Sequence, residues 1–477
     1  MSPGTLETDY LIIGAGAMGM AFADALFDLT GAHITLVDRR HRPGGHWNDA
    51  YGFVRLHQPS VFYGVNSREL GSGRVDRAGL NRGMSEMASG AEVLDHFDQL
   101  LHQRLLPSGR VAWLPMTEHR GVDADGHHQL HSLLDGRRQA IRVRRKVVHA
   151  THTGTEVPST RPPAYTVGAG VRCVPPNDLP RIRNPHARYT VVGSGKTGID
   201  TCLWLLQNGI APARIRWIMP NDAWFMDRAN VQPGVHELPR FFGSIARQFE
   251  CIADAESLPH LFELLERCGE LVRLDPAVRP TRYRCATISQ GELRELRRIT
   301  NVVRLGRVQA VTRSHLTLEH GMLDVLEDEL FVDCSACAIP SRPGVPVFEG
   351  DGAIHLQLVR TCAPCFSAAF IAAVECLVPA DDRNNLCRVV PLPAGERSWL
   401  AMWAVSLANR RAWSRHDRLM AWLADSRLDY GTRVREQVPA DVMARYLDAL
   451  KRAAPRLQPL LEGGTARRER PAAMPAH

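Results

Sequence analysis

Tyr10-Leu11-Ile12-Ile13-Gly14-Ala15-Gly16-Ala17-Met18-Gly19 joins a four-residue apolar run to a glycine turn, and Ala21–Leu29 then has helical character. His33–Val37 follows as a second β-rich run. The glycines fit G-x-G-x-x-G, and each has a physical task. Gly14 permits the tight turn, Gly16 presents no side chain to a pyrophosphate, and Gly19 lets the helix lie close to the strand. A pyrophosphate can then sit on the unpaired N–H groups and the positive dipole end of that helix. Asp38 ends the second run, 19 residues after Gly19, where a carboxylate can accept ribose hydroxyls. Gly14, Gly16, Ala17, Met18, Gly19, Asp38 and the adjacent Arg39 are therefore expected to bind a dinucleotide.

The same grammar returns between Tyr189 and Met219. Val191 and Val192 end a strand, Gly193-Ser194-Gly195-Lys196-Thr197-Gly198 turns, Ile199–Asn208 is helical, and Arg214–Met219 is strand-like. Gly195-Lys196-Thr197 looks like the end of a P-loop, but the first glycine of that motif would fall on Thr190, inside the strand. A second dinucleotide site, for a nicotinamide cofactor, is the better reading. Arg214–Met219 does not end in an acid, which favours NADP over NAD. Arg228, Arg214 and Lys196 are candidate partners for the extra phosphate.

With 477 residues, the chain has material for two to four domains. Its net charge of +7 comes from arginine, since only Lys146, Lys196 and Lys451 are lysines. The arginines are scattered, without a basic face interleaved with aromatics, so no nucleic-acid partner is expected. Cys362–Ala380 is the longest apolar stretch, but Ser367 and Glu375 interrupt it, which predicts a buried helix and no membrane span. Met1–Tyr10 lacks a basic leader, so a cytoplasmic location is expected. Eleven cysteines, an odd number, point to reduced thiols. The pairs Cys334–Cys337 and Cys362–Cys365 read as buried thiols, and no metal site is expected. Trp399, Trp403, Trp413 and Trp422 read as helix-packing residues.

Taken in order, these pieces resemble the flavin-containing monooxygenase superfamily, the class B flavoprotein monooxygenases. The resemblance spans residues 8–375. It rests on the Gly14–Gly19 turn, then Gly44-Gly45-His46-Trp47, the Gly193–Gly198 turn, and Ala223-Trp224-Phe225-Met226-Asp227-Arg228. It implies an α/β fold with two Rossmann-type dinucleotide-binding domains, an FAD domain with an inserted NAD(P) domain, plus a helical C-terminal region. The expected boundaries are 1–165 and 331–385 for the FAD domain, 186–330 for the NAD(P) domain, 386–462 for the helices and 463–477 for a disordered tail, with 156–185 as a crossing linker.

The resemblance further implies FAD and NADP (or NAD) as cofactors, with molecular oxygen and a small organic molecule as substrates. One oxygen atom would be inserted through a C4a-peroxyflavin. Gly45, His46 and Trp47 join the expected FAD site, and Ser367 begins a helix whose dipole would face the flavin. Gln58 or Asn66 falls where the family places an amide near the flavin, which marks both as catalytic candidates. Two alternatives remain on the same fold: a reductase or oxidase without oxygen insertion, and a non-catalytic FAD-binding scaffold.

Overall fold

The computed structural model describes residues 6–336, 342–350 and 352–463. The first lobe opens with β1 (Leu6–Ile13), α1 (Ala17–Leu29) and β2 (Ile34–Val37). It continues through α2 (Gly90–Leu100), β3 (Val111–Leu114), β4 (Thr117–Val122), β5 (His128–Ser132) and β6 (Arg138–His149). Strands β6, β1, β2 and β3 lie side by side and parallel. Tyr10, Leu11 and Ile12 are buried without alternation, as expected of a parallel strand covered on both faces. The long β6 pairs with β1 over most of its length and with β5 at its start.

The second lobe is entered through β7 (Thr166–Val167) and β8 (Arg172–Val174). The unit β9 (Arg188–Val192), α3 (Lys196–Gln207) and β10 (Ile215–Ile218) repeats the opening one. Next come β11 (Ala223–Asp227), α4 (Leu238–Asp254), α5 (Leu258–Arg267), β12 (Leu271–Val272), β13 (Arg282–Ile288), α6 (Gln290–Leu296) and β14 (Val302–Val303). Strands β15 (Val308–Val311), β16 (His315–Leu318), β17 (Gly321–Asp324) and β18 (Glu329–Asp333) complete the lobe. Its parallel sheet runs β14-β10-β9-β18-β8.

The chain then returns to the first sheet through β19 (Phe348–Glu349) and β20 (Ala353–His355), the latter parallel to β6. Helix α7 (Pro364–Leu377) packs against α1. Both helices carry small residues, Ala21, Ala23 and Ala25 on one and Ala368, Ala369 and Ala372 on the other, all buried in one core. The C-terminal helices are α8 (Arg383–Leu386), α9 (Glu396–Trp413), α10 (Asp417–Asp425), α11 (Tyr430–Arg433), α12 (Ala440–Ala453) and α13 (Leu457–Glu462). Among the described residues, no helix is long and apolar enough to cross a membrane.

The two-Rossmann α/β plan is therefore observed, with four corrections. Strand β18 hydrogen-bonds to β9 and β8, so the boundary expected at 330/331 cuts through a strand of the second lobe. The segment expected as a linker supplies β7 and β8. The sequence of Ser244–Cys268 reads as one helix, whereas the structure has two there, because Ser257 accepts from the His260 N–H as N-cap of α5 and Pro259 stands in its first turn. Finally, Cys285 and Cys362 are joined as a disulfide, against the expectation of reduced thiols throughout. The expected tail beyond 463 and Cys337 lie outside the described residues.

Trp399 and Trp413 are buried in two different cores, Trp399 against Phe262 and Trp413 against Phe370. Phe370 lies at the centre of the α7 contact. Phe370→Ala should lower the free energy of unfolding by about 3–5 kcal/mol, the usual cost of emptying an aromatic site in a core, measured by urea denaturation monitored by circular dichroism.

Candidate dinucleotide sites and the seam between them

The two glycine turns share one backbone geometry. Gly14 and Gly193 take positive φ values of +101° and +123°. A Cβ on Gly19 would run into the Gly14 carbonyl, and one on Gly198 into the Gly193 carbonyl. Helices α1 and α3 therefore start flush against their strands. Their N-caps, Gly16 and Gly195, make no side-chain cap hydrogen bond, so the first N–H groups of each helix are left for an external acceptor. Ala17 and Met18 form the first turn of α1, and Lys196 and Thr197 that of α3.

Asp38 braces the first turn. One carboxylate oxygen accepts from the Ala15 N–H at 2.7 Å and the other from the Arg40 N–H at 2.9 Å. Each oxygen keeps a second lone pair with which a ribose hydroxyl can bond. The Gly44 N–H donates to the Ala15 carbonyl at 2.8 Å, which draws the next loop across the turn. A Cβ on Gly45 would stand 2.9 Å from the Gly16 Cα, so this crossing is open only to glycine. The Asn48 amide donates to the Gly45 carbonyl at 3.0 Å and shapes the loop.

Two buried polar atoms here have no protein partner: Nε of Arg42 and Oδ1 of Asn48. An unpartnered buried guanidinium N–H in the loop that leads into the Gly44–Gly45 crossing suits an anionic ligand. Neither residue was identified from the sequence. Arg42 is one of many arginines, and Asn48 acts by holding backbone.

The other first-lobe expectations divide. Trp47 is buried and its indole N–H donates to the Tyr63 hydroxyl at 2.9 Å. Burial first, and then the Arg40 charge, push the His46 imidazole down to about 4, which keeps it neutral. Arg39 points to solvent beside Glu118 at 3.7 Å, outside the cradle. Gln58 is half-buried. The Asn66 amide oxygen accepts from the Ser426 hydroxyl at 2.8 Å, and the adjacent Ser67 N–H bonds to Asp24 midway along α1. Asn66 therefore stands away from the glycine turn and is held by the C-terminal helices. Ser367 is fully buried. Its hydroxyl donates to the Ala363 carbonyl at 2.7 Å and accepts from the Val359 N–H at 3.1 Å, so it closes the turn into α7 instead of facing a ligand.

In the second lobe, the Ser194 hydroxyl donates to the Asn221 carbonyl at 2.7 Å and the Trp217 indole N–H to the Gly193 carbonyl at 2.9 Å. Lys196 pairs with Asp200 one turn along α3. The Tyr51 hydroxyl of the first lobe donates to the same carboxylate at 2.7 Å. Asp222, four residues beyond β10, is held by a two-point contact from Arg304 at 2.8 and 3.0 Å.

Arg228 departs from its expected role as a phosphate partner. Its side chain is only 3% exposed. Its guanidinium donates to Glu292 at 2.7 Å, to Asn81 at 2.5 Å, and to the Thr287 hydroxyl and carbonyl at 3.0 Å each. The His57 carbonyl accepts from Thr287 and from Arg228. Asn81 and His57 belong to the first lobe, and Arg228, Thr287 and Glu292 to the second, so Arg228 bolts the lobes together. Burial works to raise the Glu292 pKa, but the Arg228 charge and hydrogen bond outweigh it and hold the carboxyl below its usual range. Burial, then the charges of Lys196 and Arg228, push His57 down to about 3. Arg214 is likewise engaged, by the His186 and Ala187 carbonyls.

Residues 12–66 match the model of the NAD(P)-binding Rossmann-like domain. The uncharacterized protein Rv2000 of Mycobacterium tuberculosis is 44% identical over 476 residues, covering 98% of this chain and 86% of the relative. This chain belongs to the Rv2000 family. Mb2023 of Mycobacterium bovis matches to the same extent. The polycyclic ketone monooxygenase of the fungus Thermothelomyces thermophila is 13% identical with a TM-score of 0.51, over 96% of this chain and 86% of that one. This chain thus shares the fold of that monooxygenase, and the resemblance read from the sequence holds at the level of fold.

The Arg228 network generates a test on this member of the family. Arg228→Met leaves the Glu292 carboxylate buried without its cation, and should cost about 3–5 kcal/mol of stability. Replacing both partners, as Arg228→Met with Glu292→Leu, should recover part of that loss. Urea denaturation of the single and double variants measures both.

Proposed function

We propose that this protein is an FAD- and NAD(P)H-dependent monooxygenase that transfers one atom of O2 to a small organic substrate, by N- or S-oxygenation or hydroxylation. The observation that carries this reading is the pair of uncapped helix N-termini, α1 and α3, each behind a glycine turn of the same shape. FAD suits the first turn, where the Gly45 crossing and the unpartnered Arg42 Nε leave room and charge for a pyrophosphate. When bound, FAD supplies the redox chemistry, passing electrons from NAD(P)H to O2.

The chain's own residues bind, orient and exclude water. The α1 N–H groups and Arg42 hold the pyrophosphate, and Asp38 holds the ribose. The Trp47–Tyr63 pair forms an apolar wall fixed by its internal hydrogen bond. Tyr63 stays protonated, because burial raises its pKa well above the usual phenol range. Of the two candidate amides, the half-buried Gln58 is the one left to assist the reaction, because Asn66 is committed to Ser426. The α3 N-terminus and Lys196 hold the pyrophosphate of NAD(P)H. Exclusion of water by these walls would keep reducing equivalents from being lost as peroxide.

Anaerobic titration of the yellow holoprotein with NADPH and with NADH tests the reading. NADPH should bleach the flavin band in one-to-one stoichiometry, and admission of O2 with substrate should return the oxidised spectrum while consuming one O2 per NADPH without accumulating hydrogen peroxide. Bleaching followed by stoichiometric peroxide would make the protein a reductase or oxidase. No bleaching with either donor would overturn the enzymatic reading.

A further inference from the structure

Cys285 and Cys362 lie 77 residues apart in sequence and come from different lobes, yet their sulfurs are bonded and their Cα atoms are 6.4 Å apart. That separation lies within the range a disulfide spans without backbone movement. Cys285 sits in β13, where the register with β11 shifts between Trp224 and Met226 and leaves a bulge. Cys362 stands two residues before α7. Among the described residues only three non-glycine residues take positive φ, and these two cysteines, at +55° and +47°, are two of them. Backbone held in that region costs on the order of 1 kcal/mol or more per residue and collects at functional positions. Both lobes therefore present a sulfur from a strained backbone toward the same point.

The other facing pair differs. Cys251 and Cys268 have sulfurs 3.6 Å apart, but they lie on α4 and at the end of α5, within one lobe, and a bond between them would tie no lobes together. Cys202, Cys334, Cys365 and Cys387 are buried, and burial holds their thiols protonated.

We propose that Cys285 and Cys362 form a reversible redox site that locks the two lobes together. The Arg228 network fixes the seam at β11, β13 and α6. To these hydrogen bonds the disulfide adds a covalent anchor, between the bulge of β13 and the turn into α7. The oxidant is a low-molecular-weight disulfide. Cys362 is half-buried and Cys285 buried, so Cys362 reacts first. Its thiolate attacks one sulfur of the small disulfide, forming a mixed disulfide and releasing one small thiol, which takes up the Cys362 proton. The Cys285 thiolate then attacks Cys362 Sγ, forms the internal bond and releases a second small thiol, which takes up the Cys285 proton. One small disulfide is reduced to two thiols as two protein thiols are oxidised, and two small thiols reverse the sequence.

The test uses the full-length protein equilibrated in glutathione buffers from fully reduced to fully oxidised, followed by acid quench, alkylation and non-reducing peptide mapping. A cross-linked peptide joining Cys285 to Cys362 should replace the two alkylated peptides as the buffer becomes oxidising, and disappear on return to reduced glutathione. The oxidised form should melt several degrees higher than the reduced one, because the bond closes a long loop in the unfolded chain. Cys285→Ser and Cys362→Ser should each abolish the cross-link and that shift, and Cys251→Ser should leave both intact. Full alkylation of Cys285 and Cys362 at every buffer ratio would overturn the proposal. So would a cross-link that reduced glutathione cannot open, or one that leaves the melting temperature unchanged. None of these readouts depends on bound FAD or on turnover, so they are separable from the monooxygenase reading.

Discussion

The buried guanidinium of Arg228 is the constraint on which the two-lobe arrangement depends. Each Rossmann unit can present a helix N-terminus by itself, but two cofactors can exchange electrons only if the units meet in a fixed orientation. Arg228 sets that orientation by donating to Glu292 and Thr287 of its own lobe and to Asn81 and His57 of the other. A buried charge is tolerable only when its partners are complete, so the seam cannot slide without leaving donors unpaired. The neutral His57 imidazole suits this position, since a second cation beside Arg228 would oppose the first.

The two glycine turns answer one physical problem in the same way. An anion has to approach the start of a helix whose dipole and free N–H groups attract it, and any side chain at the turn would stand between them. Around that shared solution the lobes differ. The first adds the Gly44–Gly45 crossing and Arg42; the second adds the Lys196–Asp200 pair, to which the first lobe's Tyr51 donates. The scaffold beneath the first turn is the α1–α7 contact, where alanines let two helices lie close and aromatic packing around Phe370 ties α7 to the C-terminal helices.

Both strand–turn–helix–strand units were legible in the sequence, because glycine spacing and buried apolar runs are local signals. What escaped was long-range. β18 could be placed in the second sheet only by its pairing with β9, and Ser367 looked like a ligand at a helix start until its hydroxyl was seen closing the turn with Ala363 and Val359. Arg228 reads as a phosphate partner in the sequence, and only three dimensions bring Asn81 and Glu292 to it. The Cys285–Cys362 bond joins positions that no spacing motif connects. The odd cysteine count suggested free thiols because it could not show which two sulfurs meet.

On the proposed reading two equivalent turns hold two different dinucleotides, and one pair of glycine variants separates them. Gly16 and Gly195 have ordinary extended backbones. An added Cβ at Gly16 would stand 3.6 Å from the Gly45 Cα, and one at Gly195 would meet nothing within 4 Å, so alanine at either site leaves the fold intact but intrudes where a pyrophosphate would bind. FAD content per chain and the NADPH concentration needed for half-maximal flavin reduction should be measured for both. Gly16→Ala should lose most of its FAD, while Gly195→Ala should keep its FAD and need at least about tenfold more NADPH, a loss of about 1.4 kcal/mol of binding. If both variants keep their FAD and are reduced at the wild-type NADPH concentration, the assignment of the two turns is wrong.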